Sequence, residues 1–466
     1  MKETISLWRE RRQVIHSLLP AAAVALTCCL TLPAVAQRGA ANVYYPPSSI
    51  ERPQDLGKFA HTNYVLYSPN GAKTVGAPAP PPGVETPSSL QCLLGLISSP
   101  SGKPYLSCNI SDLGTRHAVG GWGAIALVDA FDDPTAASDL NFFASYYGLP
   151  TPTFQVIKDG AAYGYSGCTT PPPNQGWALE ESLDIEWAFA MAETAKIYLV
   201  EACSDSFADL THAELVAGSL VKAAGGGDIS NSWGGGEFPG ETSYDTYFFK
   251  TCLTGDSSCS TGYWDRIVYF ASAGDNGCGA QWPSSSPWVV SAGGTTINRD
   301  QTTHNFTSES CWSGSGGGVS SVETWGSAFP TGMGPWVNFQ YSQFGQTARQ
   351  TPDIAADADP ASGVGVYCNS CGGGPWFQVG GTSLASPLLA GVVNIAGNKL
   401  GQAPHGSSGF YTNEQNAFMY SELFTVATKS AHFYDVSQGS NGAGCGATTG
   451  YDRCTGIGSP LGYSGH

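Results

Sequence analysis

Gly380-Gly381-Thr382-Ser383-Leu384-Ala385-Ser386-Pro387 is the stretch from which the rest of this chain is read. Two glycines allow close backbone approach. A Thr-Ser pair follows, and then an apolar run from Leu388 to Ile395 that predicts a helix. Ser383 is thereby placed at a helix N-terminus, where unpaired N–H groups and the helix dipole favour developing negative charge. A serine nucleophile is presented in this way, but it still needs a base. The chain has eight His, and none lies in a Gly-His-Gly-Thr-like setting. Carboxyl groups stand ready instead. Glu180 and Asp184 lie four residues apart on a helical segment, and Asp275 sits in the turn Ala273-Gly274-Asp275-Asn276-Gly277 after an apolar strand. A serine with three carboxyls and no histidine implies serine-type hydrolysis in acid.

Around this stretch the sequence alternates between strand and helix patterns. Ala124 to Asp129 reads as a buried strand ending in an acid, and Pro134 to Tyr147 as a helix. Trp177–Ala192 and Leu210–Ala224 read as further helices, with a strand at Ile197–Val200 between them. Asp228–Trp233, Arg266–Ser272 and Trp288–Ala292 read as strands. Such alternation predicts an α/β fold with a mostly parallel sheet flanked by helices on both faces. Active residues then belong at the carboxyl ends of strands and in the loops beyond them.

Composition narrows the class. Hydrophobic residues make up 41% of 466 residues, enough for a sizeable core, while charged residues are only 12%. The formal net charge is −17, and removing the four basic and two acidic residues of positions 1–36 leaves about −19. Such a surface repels nucleic acid and anionic membranes, so neither is expected as a partner. Residues 1–36 read as an export signal: a basic start at Lys2, Arg9, Arg11 and Arg12, an apolar Leu18–Leu32, and the small-residue site Ala34-Val35-Ala36. The apolar run is short and broken by Pro20, so cleavage after Ala36 and a secreted product are expected rather than an anchor. Residues 37–84, with the Pro-rich Ala77–Gly83, read as an extension and linker, and the domain is expected to span 85–466. Twelve Cys remain after the signal, an even number that implies disulfides in an exported chain. Spacing cannot decide connectivity. The simplest scheme joins neighbours: Cys92–Cys108, Cys168–Cys203, Cys252–Cys259, Cys278–Cys311, Cys368–Cys371 and Cys445–Cys454.

The chemistry of the three carboxyls differs. Residues four apart share a helix face, so Glu180 and Asp184 point into one site, where two like charges share protons and one pKa rises. Glu180 is placed to take the hydroxyl proton of Ser383, and Asp184 to orient Glu180. Asp275 needs a proton of its own, because an ionised carboxylate only accepts while a neutral one donates to an oxyanion. Taken singly, Glu180 and Asp184 also fit two surface acids of a helix, with Glu181 and Glu186 beside them, and Asp275 fits an ordinary turn.

Taken together and in this order, the motifs resemble the sedolisin (serine-carboxyl peptidase) family over about residues 85–466. The resemblance rests on Glu180–Glu186, Ser272–Gly277 and Gly380–Pro387, supported by Pro283–Pro287, Gly316–Ser320 and Pro352–Pro360. It implies a subtilisin-like fold, Ser383 as nucleophile, Glu180 as base, Asp184 as its partner and Asp275 at the oxyanion. It implies that Ser232-Trp233-Gly234 is the edge that binds substrate backbone, and that Asp129 extends the carboxyl network. It also implies one calcium ion, Ca2+, held by the side chains of Asp435 and Asp452 and by the carbonyls of Val436, Thr448 and Gly450; the family prefers Gly where this chain has Thr448. Family precursors carry a long folded prodomain, whereas about fifty residues separate Ala36 from the domain here. A monomer acting on proteins or peptides as an endopeptidase is expected. A tripeptidyl-type exopeptidase and a catalytically silent binding protein remain as alternatives.

Overall fold

Three short strands, β1 (Val43–Tyr44), β2 (His61–Thr62) and β3 (Val65–Tyr67), precede helix α1 (Pro87–Leu93). Strands and helices then alternate: β4 (Ala124–Ala130), α2 (Ala136–Tyr147), β5 (Thr153–Lys158), α3 (Gln175–Met191), β6 (Lys196–Ala202), α4 (Phe207–Ala223) and β7 (Gly227–Asn231). Next come β8 (Trp233–Gly236), β9 (Ile267–Ser272), β10 (Gln281–Trp282), β11 (Val290–Arg299), β12 (Phe306–Cys311), β13 (Gly318–Thr324) and β14 (Ala348–Thr351). β15 (Ile354–Asp357), β16 (Val364–Tyr367) and β17 (Trp376–Gly380) lead into α5 (Thr382–Lys399), and β18 (Phe433–Tyr434) and β19 (Ser459–Pro460) follow. The structure is a computed structural model describing residues 42–68, 76–97, 108–111, 117–249, 267–324, 340, 347–399, 415–416, 419–420 and 431–462. The expected export signal and the expected Cys252–Cys259 pair lie outside these residues.

The main sheet has the order β12-β11-β9-β7-β4-β6-β5, with β15 also paired to β11. Its pairings are parallel except that of β11 with β12. β4 shows why. All seven of its residues are buried, as a strand covered on both faces must be. Ile125 and Leu127 join the core containing α3 and α5, while Ala124, Ala126 and Val128 join the core containing α4. The alternation of a strand thus feeds two apolar layers. The helices start where their sequences ask them to. Asn174 caps α3 by accepting from Gly176 N (2.9 Å), and Ser206 caps α4 by accepting from Asp209 N (3.2 Å). Gly148 ends α2 at φ 70°, a left-handed stop.

Two expectations are corrected. Residues 37–84 do not stand apart as a linker where they are described. β1 pairs with β3, β3 pairs with β17, and β2 pairs with β8, so this stretch is woven into the domain well before Glu85. Strands of two or three residues are too short to show a period, which hid them. The neighbour scheme also fails at the C-terminal side. Cys92–Cys108, Cys168–Cys203 and Cys368–Cys371 form, but Cys278 joins Cys445 and Cys311 joins Cys454. The loop after β18 folds back over β12 and over the turn after β9. Cys311 pairs with Gly439, and Cys278 N donates to Asn441 O (2.8 Å), so the partners nearest in space are distant in sequence.

Peptide mapping without reduction should therefore recover Cys278 with Cys445 and Cys311 with Cys454. Replacing Cys311 and Cys454 together by Ser should cost about 2–5 kcal/mol of stability, because a long loop of the unfolded chain is released. Recovery of a Cys445–Cys454 peptide would restore the neighbour scheme.

Candidate active site

Ser383 lies in the first turn of α5, immediately after β17. The turn between them is tight. Gly381 has φ +103°, and a Cβ there would stand 2.2 Å from Asn63 O, 2.5 Å from Asp275 Oδ2 and 2.7 Å from Tyr64 Cα. Only glycine fits both the conformation and the space. The N–H groups that open α5 have partners: Thr382 N donates to Asp275 Oδ1 (2.7 Å) and Ser383 N donates to Asn63 O (2.9 Å). Pro387 lies inside this helix and has no N–H for the carbonyl of Ser383, one turn earlier. The hydroxyl of Ser232 lies 3.2 Å from that carbonyl and shares its one proton with the nearer Asp184 Oδ1.

α3 carries the acids. Contrary to two acids on a surface, the helix is buried from Trp177 to Met191, and Glu180, Glu181, Asp184 and Glu186 are all 0% exposed. Burial pushes Glu180 well above the usual carboxylate range, and the neighbouring charges of Asp184 and Asp129 push it further. The hydroxyl of Ser383 lies against Glu180 and opposes this rise. Its hydrogen nevertheless points to Ser232 O at 3.0 Å, and both Glu180 oxygens lack a closed hydrogen bond. We take the closed bond to Ser232 as the resting geometry. The hydroxyl is a rotor that reaches Glu180 by turning about one bond, and such contacts are commonly loose before substrate chemistry begins.

Asp184 is raised well above its usual value by burial and by Asp129, against one opposing hydrogen bond from Ser232 Oγ (2.7 Å). Asp129 ends β4 with neither oxygen partnered, and burial lifts it to about 8. Glu181 turns to another group of acids, led by Glu201. Glu186 accepts from Tyr367 N (3.0 Å) and so fastens α3 to β16.

Asp275 reaches the site from the loop after β9. Thr382 donates to its Oδ1 twice, through N (2.7 Å) and Oγ1 (2.9 Å), while Oδ2 is buried and unpartnered. Burial raises its pKa to about 8 against those two bonds, so this carboxyl keeps a proton and can donate. Ser232 touches Ser383, its carbonyl accepting from the Ser383 hydroxyl, and Trp233 and Gly234 follow it into β8. The Trp233 ring is core, with its Nε1 donating to Val128 O at 2.9 Å.

That edge is already paired. β2 runs antiparallel to β8, with His61 opposite Gly234 and Thr62 opposite Trp233. Asn63 N donates to Ser232 O at 3.2 Å. A cavity of about 790 Å³ opens alongside, lined by His61, Tyr64 and Trp177 among others, yet Ser383, Glu180, Asp184 and Asp275 do not line it. Asn63 and its neighbours were missed in sequence, because nothing in a short polar stretch marks it as a visitor to a site three hundred residues away.

Four of the five expected calcium ligands lie in contact as two pairs, Asp435 with Gly450 and Asp452 with Thr448. Asp435 accepts from Gly450 N (3.2 and 3.3 Å to its two oxygens), and Asp452 accepts from Thr448 N (3.0 Å) and Thr455 N (2.8 Å). Asp452 thus stands on the loop of Thr448 and Gly450, and Asp435, just after β18, reaches it from outside. Gly450 has φ +96° and open space where a Cβ would be. An all-oxygen set on a turning loop fits a hard cation. A second group, Asp133, Asp139 and Cys368, is no rival, because Cys368 is bonded to Cys371 and both acids already accept from Thr135.

Comparison with known proteins agrees with this geometry. The sequence profile of the subtilase family matches residues 174–415. Xanthomonalisin from Xanthomonas sp. (strain T-22) is 28% identical over 397 residues, 74% of this chain and 43% of that protein. Kumamolisin from Bacillus sp. (strain MN-32) is 28% identical over 374 residues, 72% of this chain and 58% of its own. The chain spans about half the length of the curated relatives it matches. Pseudomonas sedolisin, a serine-carboxyl proteinase solved with two molecules of pseudo-iodotyrostatin, shares the fold with a TM-score of 0.57 at 22% identity, covering 84% of this chain and 96% of that one. With the profile spanning more than half of its length and these relatives agreeing, the chain belongs to the subtilase family, in its sedolisin (serine-carboxyl peptidase) group.

Proposed function

We propose that this protein is an exported serine-carboxyl endopeptidase that works in acid. The observation that carries the reading is the convergence near Ser383 of three carboxyls from two elements, α3 and the loop after β9, each pushed toward its neutral form by burial. A histidine base in such surroundings would be protonated and silent in acid, whereas a carboxyl pair still titrates there. Ser383 attacks the peptide carbonyl while Glu180 accepts its proton and Asp184 takes part of the charge. Ser383 N–H and the proton on Asp275 Oδ2 hold the oxyanion, and Glu180 then gives its proton to the leaving amine. The acyl-enzyme is hydrolysed by water activated in the same way. Substrate backbone lies along Ser232-Trp233-Gly234.

An endopeptidase is favoured over a tripeptidyl exopeptidase because ordered chain runs past Ser383 on both sides, along β8 and along β17. Residues 37–466 are proposed to be the exported form, acting as a monomer on protein or peptide substrates, and the signal-like start and the disulfides support export. One calcium ion would be held by Asp435, Asp452 and the carbonyls of Val436, Thr448 and Gly450. It would supply charge that pins the loop, with no part in bond cleavage.

Ser383→Ala should abolish turnover of an unfolded protein, by roughly 10⁴-fold or more, while leaving the melting temperature nearly unchanged. An active variant would end the serine mechanism. Activity should follow a bell on the acid side, because Glu180 must lose a proton and Asp275 must keep one. Asp275→Asn leaves a permanent donor, so it should retain part of the activity and move the upper limb to higher pH. Activity that persists well above about pH 8, where Asp275 has lost its proton, would contradict the mechanism.

Stability should follow the same groups. The folded values of Asp129 and Asp275 are about 8, while unfolded carboxyls titrate at about 4. The folded chain therefore binds protons that the unfolded chain has released, and stability is full below about pH 4 and falls as pH rises toward about 8. Melting temperatures across this range should decline steadily; a maximum near neutrality would refute it. Removal of calcium with a chelator should lower the melting temperature, since a ligand bound only to the folded state adds about 2.7 kcal/mol at a hundred times its dissociation constant. Asp452→Ala should erase that difference.

A further inference from the structure

We propose that a line of buried carboxyls, Asp132, Glu201 and Glu181, carries protons between water at the β5 edge of the main sheet and the acids beside Ser383. This rests on the serine-carboxyl reading above and gives its acids a route to water that does not pass through the substrate cleft.

The sheet aligns these groups. Residues in register on neighbouring parallel strands point to the same face, about 4.8 Å apart. Lys158 of β5 stands opposite Glu201 of β6, and Glu201 stands opposite Asp129 of β4. Ile125 and Leu127 precede Asp129 in steps of two, as Ile197 and Leu199 precede Glu201, and all four belong to the apolar layer that contains α3. The row therefore lies beneath α3, the helix that carries Glu180, Glu181 and Asp184. β7 extends it inward. Ser230 is opposite Leu127, so Ser232, two residues on, comes into line with Asp129. Ser232 Oγ donates to Asp184 Oδ1 at 2.7 Å. One row of side chains thus runs from Lys158 at the edge to the partner of the catalytic base.

The row is dry and short of donors. Glu181, Glu201 and Asp129 are buried completely. Both oxygens of Glu181, both of Asp129 and Oε2 of Glu201 lack a hydrogen-bond partner, while Glu201 Oε1 accepts from Asp133 N at 3.2 Å. Ionised carboxylates only accept, so such a set is satisfied by protons of its own. Burial raises Glu181 well above the usual carboxylate range, and Glu201, Asp129, Asp133 and Asp132 raise it further. Burial and then Asp132 lift Glu201 to about 9, against the opposing charge of Lys158. Lys158 Nζ meets Asp132 Oδ1 at 2.5 Å, with side chains 43% and 10% exposed, so the line ends at water. Asp133 stands aside from it, accepting from Thr135, Ser182 and Ser370.

A neutral carboxyl accepts on one oxygen and donates from the other. Asp132 takes a proton from water and hands it to Glu201. Glu201 gives its own proton to Glu181, and Glu181 gives its own to Asp129, whose charge acts on both Glu180 and Asp184. One proton enters and one is delivered; no bond to carbon changes and no electron moves. The need is set by the reaction. Below about pH 3.5 both new chain ends are protonated, so each hydrolysis consumes a proton. Glu180 and Asp184 are 0% exposed, and a substrate in the cleft does not open them to water.

The test compares full-length wild type with Glu181→Gln, Glu201→Gln, the double variant, Asp132→Asn and Glu186→Gln, in peptide hydrolysis in acid and in light and heavy water. Glutamine keeps the shape but holds no proton to pass on. Glu181→Gln and Glu201→Gln should each lower kcat by roughly tenfold, a part of what proton transfer contributes to catalysis, with KM unchanged and a larger solvent isotope effect. The double variant should be no slower than either single one, because the two stand in series. Asp132→Asn changes only the outer end, so it keeps the test open if the deeper variants do not fold. Its kcat should fall likewise and recover when formic acid is added at the same pH. Glu186→Gln, equally buried on α3 but outside the row, should match wild type. Wild-type kcat and isotope effect in the Glu181, Glu201 and Asp132 variants would overturn the proposal and leave the serine mechanism standing. So would an equal loss in Glu186→Gln, or a loss in Asp132→Asn that formic acid does not restore. Turnover by Ser383→Ala would remove the mechanism on which the proposal rests.

Discussion

Burial of carboxyl groups without cations is the constraint on which the rest of this structure depends. Glu180, Asp184, Asp129 and Asp275 are each raised chiefly by loss of water, and no positive group acts on any of them among the described residues. A buried charge left alone is costly, so such groups hold protons instead. The contrast with Asp353 is instructive. It is just as buried, but Arg349 meets it with two hydrogen bonds, to Oδ1 at 2.7 Å and Oδ2 at 2.5 Å, and it receives Ser291 N at 2.7 Å. That ion pair joins Arg349 of β14 to Asp353 at the entry to β15, and the bond from Ser291 ties it to β11; the pair is structural. At the serine the chain withholds the cation and thereby keeps the acids able to gain and lose protons.

The scaffold explains how the acids come to be there. β4, β7 and β9 end on one side of a parallel sheet, and the loops beyond them deliver Ser232 and Asp275, while Asp129 comes near the end of β4 itself. α3 and α5 pack in the same apolar layer, so Glu180 and Asp184 meet Ser383 from the neighbouring helix. The apolar flanks Leu179, Leu183 and Leu384 that seal this layer are also what remove water from the acids.

Much of this was legible in sequence, for reasons that can be named. Completely buried strands such as β4 show as unbroken apolar runs, and Glu180 with Asp184 keeps the four-residue spacing of a helix face. Gly381 announced the tight turn before Ser383. The alternative of solvated surface acids on that helix is the one that falls, since all four are buried. Contacts across great sequence distance are what failed. Asn63 lies more than three hundred residues from Ser383, and Cys278 pairs 167 residues away, past nearer cysteines. Local pattern contains no trace of either, because each depends on where the closed sheet carries the chain.

The two long disulfides have a consequence of another kind. Cys278–Cys445 and Cys311–Cys454 enclose most of the second half of the chain, including α5, in overlapping covalent rings. A single backbone break anywhere from 311 to 445 leaves the two pieces joined through at least one sulfur bridge. A chain cut once within that span can thus remain one molecule with its packed core in register. Chemical reduction, and not the nick itself, would be what lets the halves part.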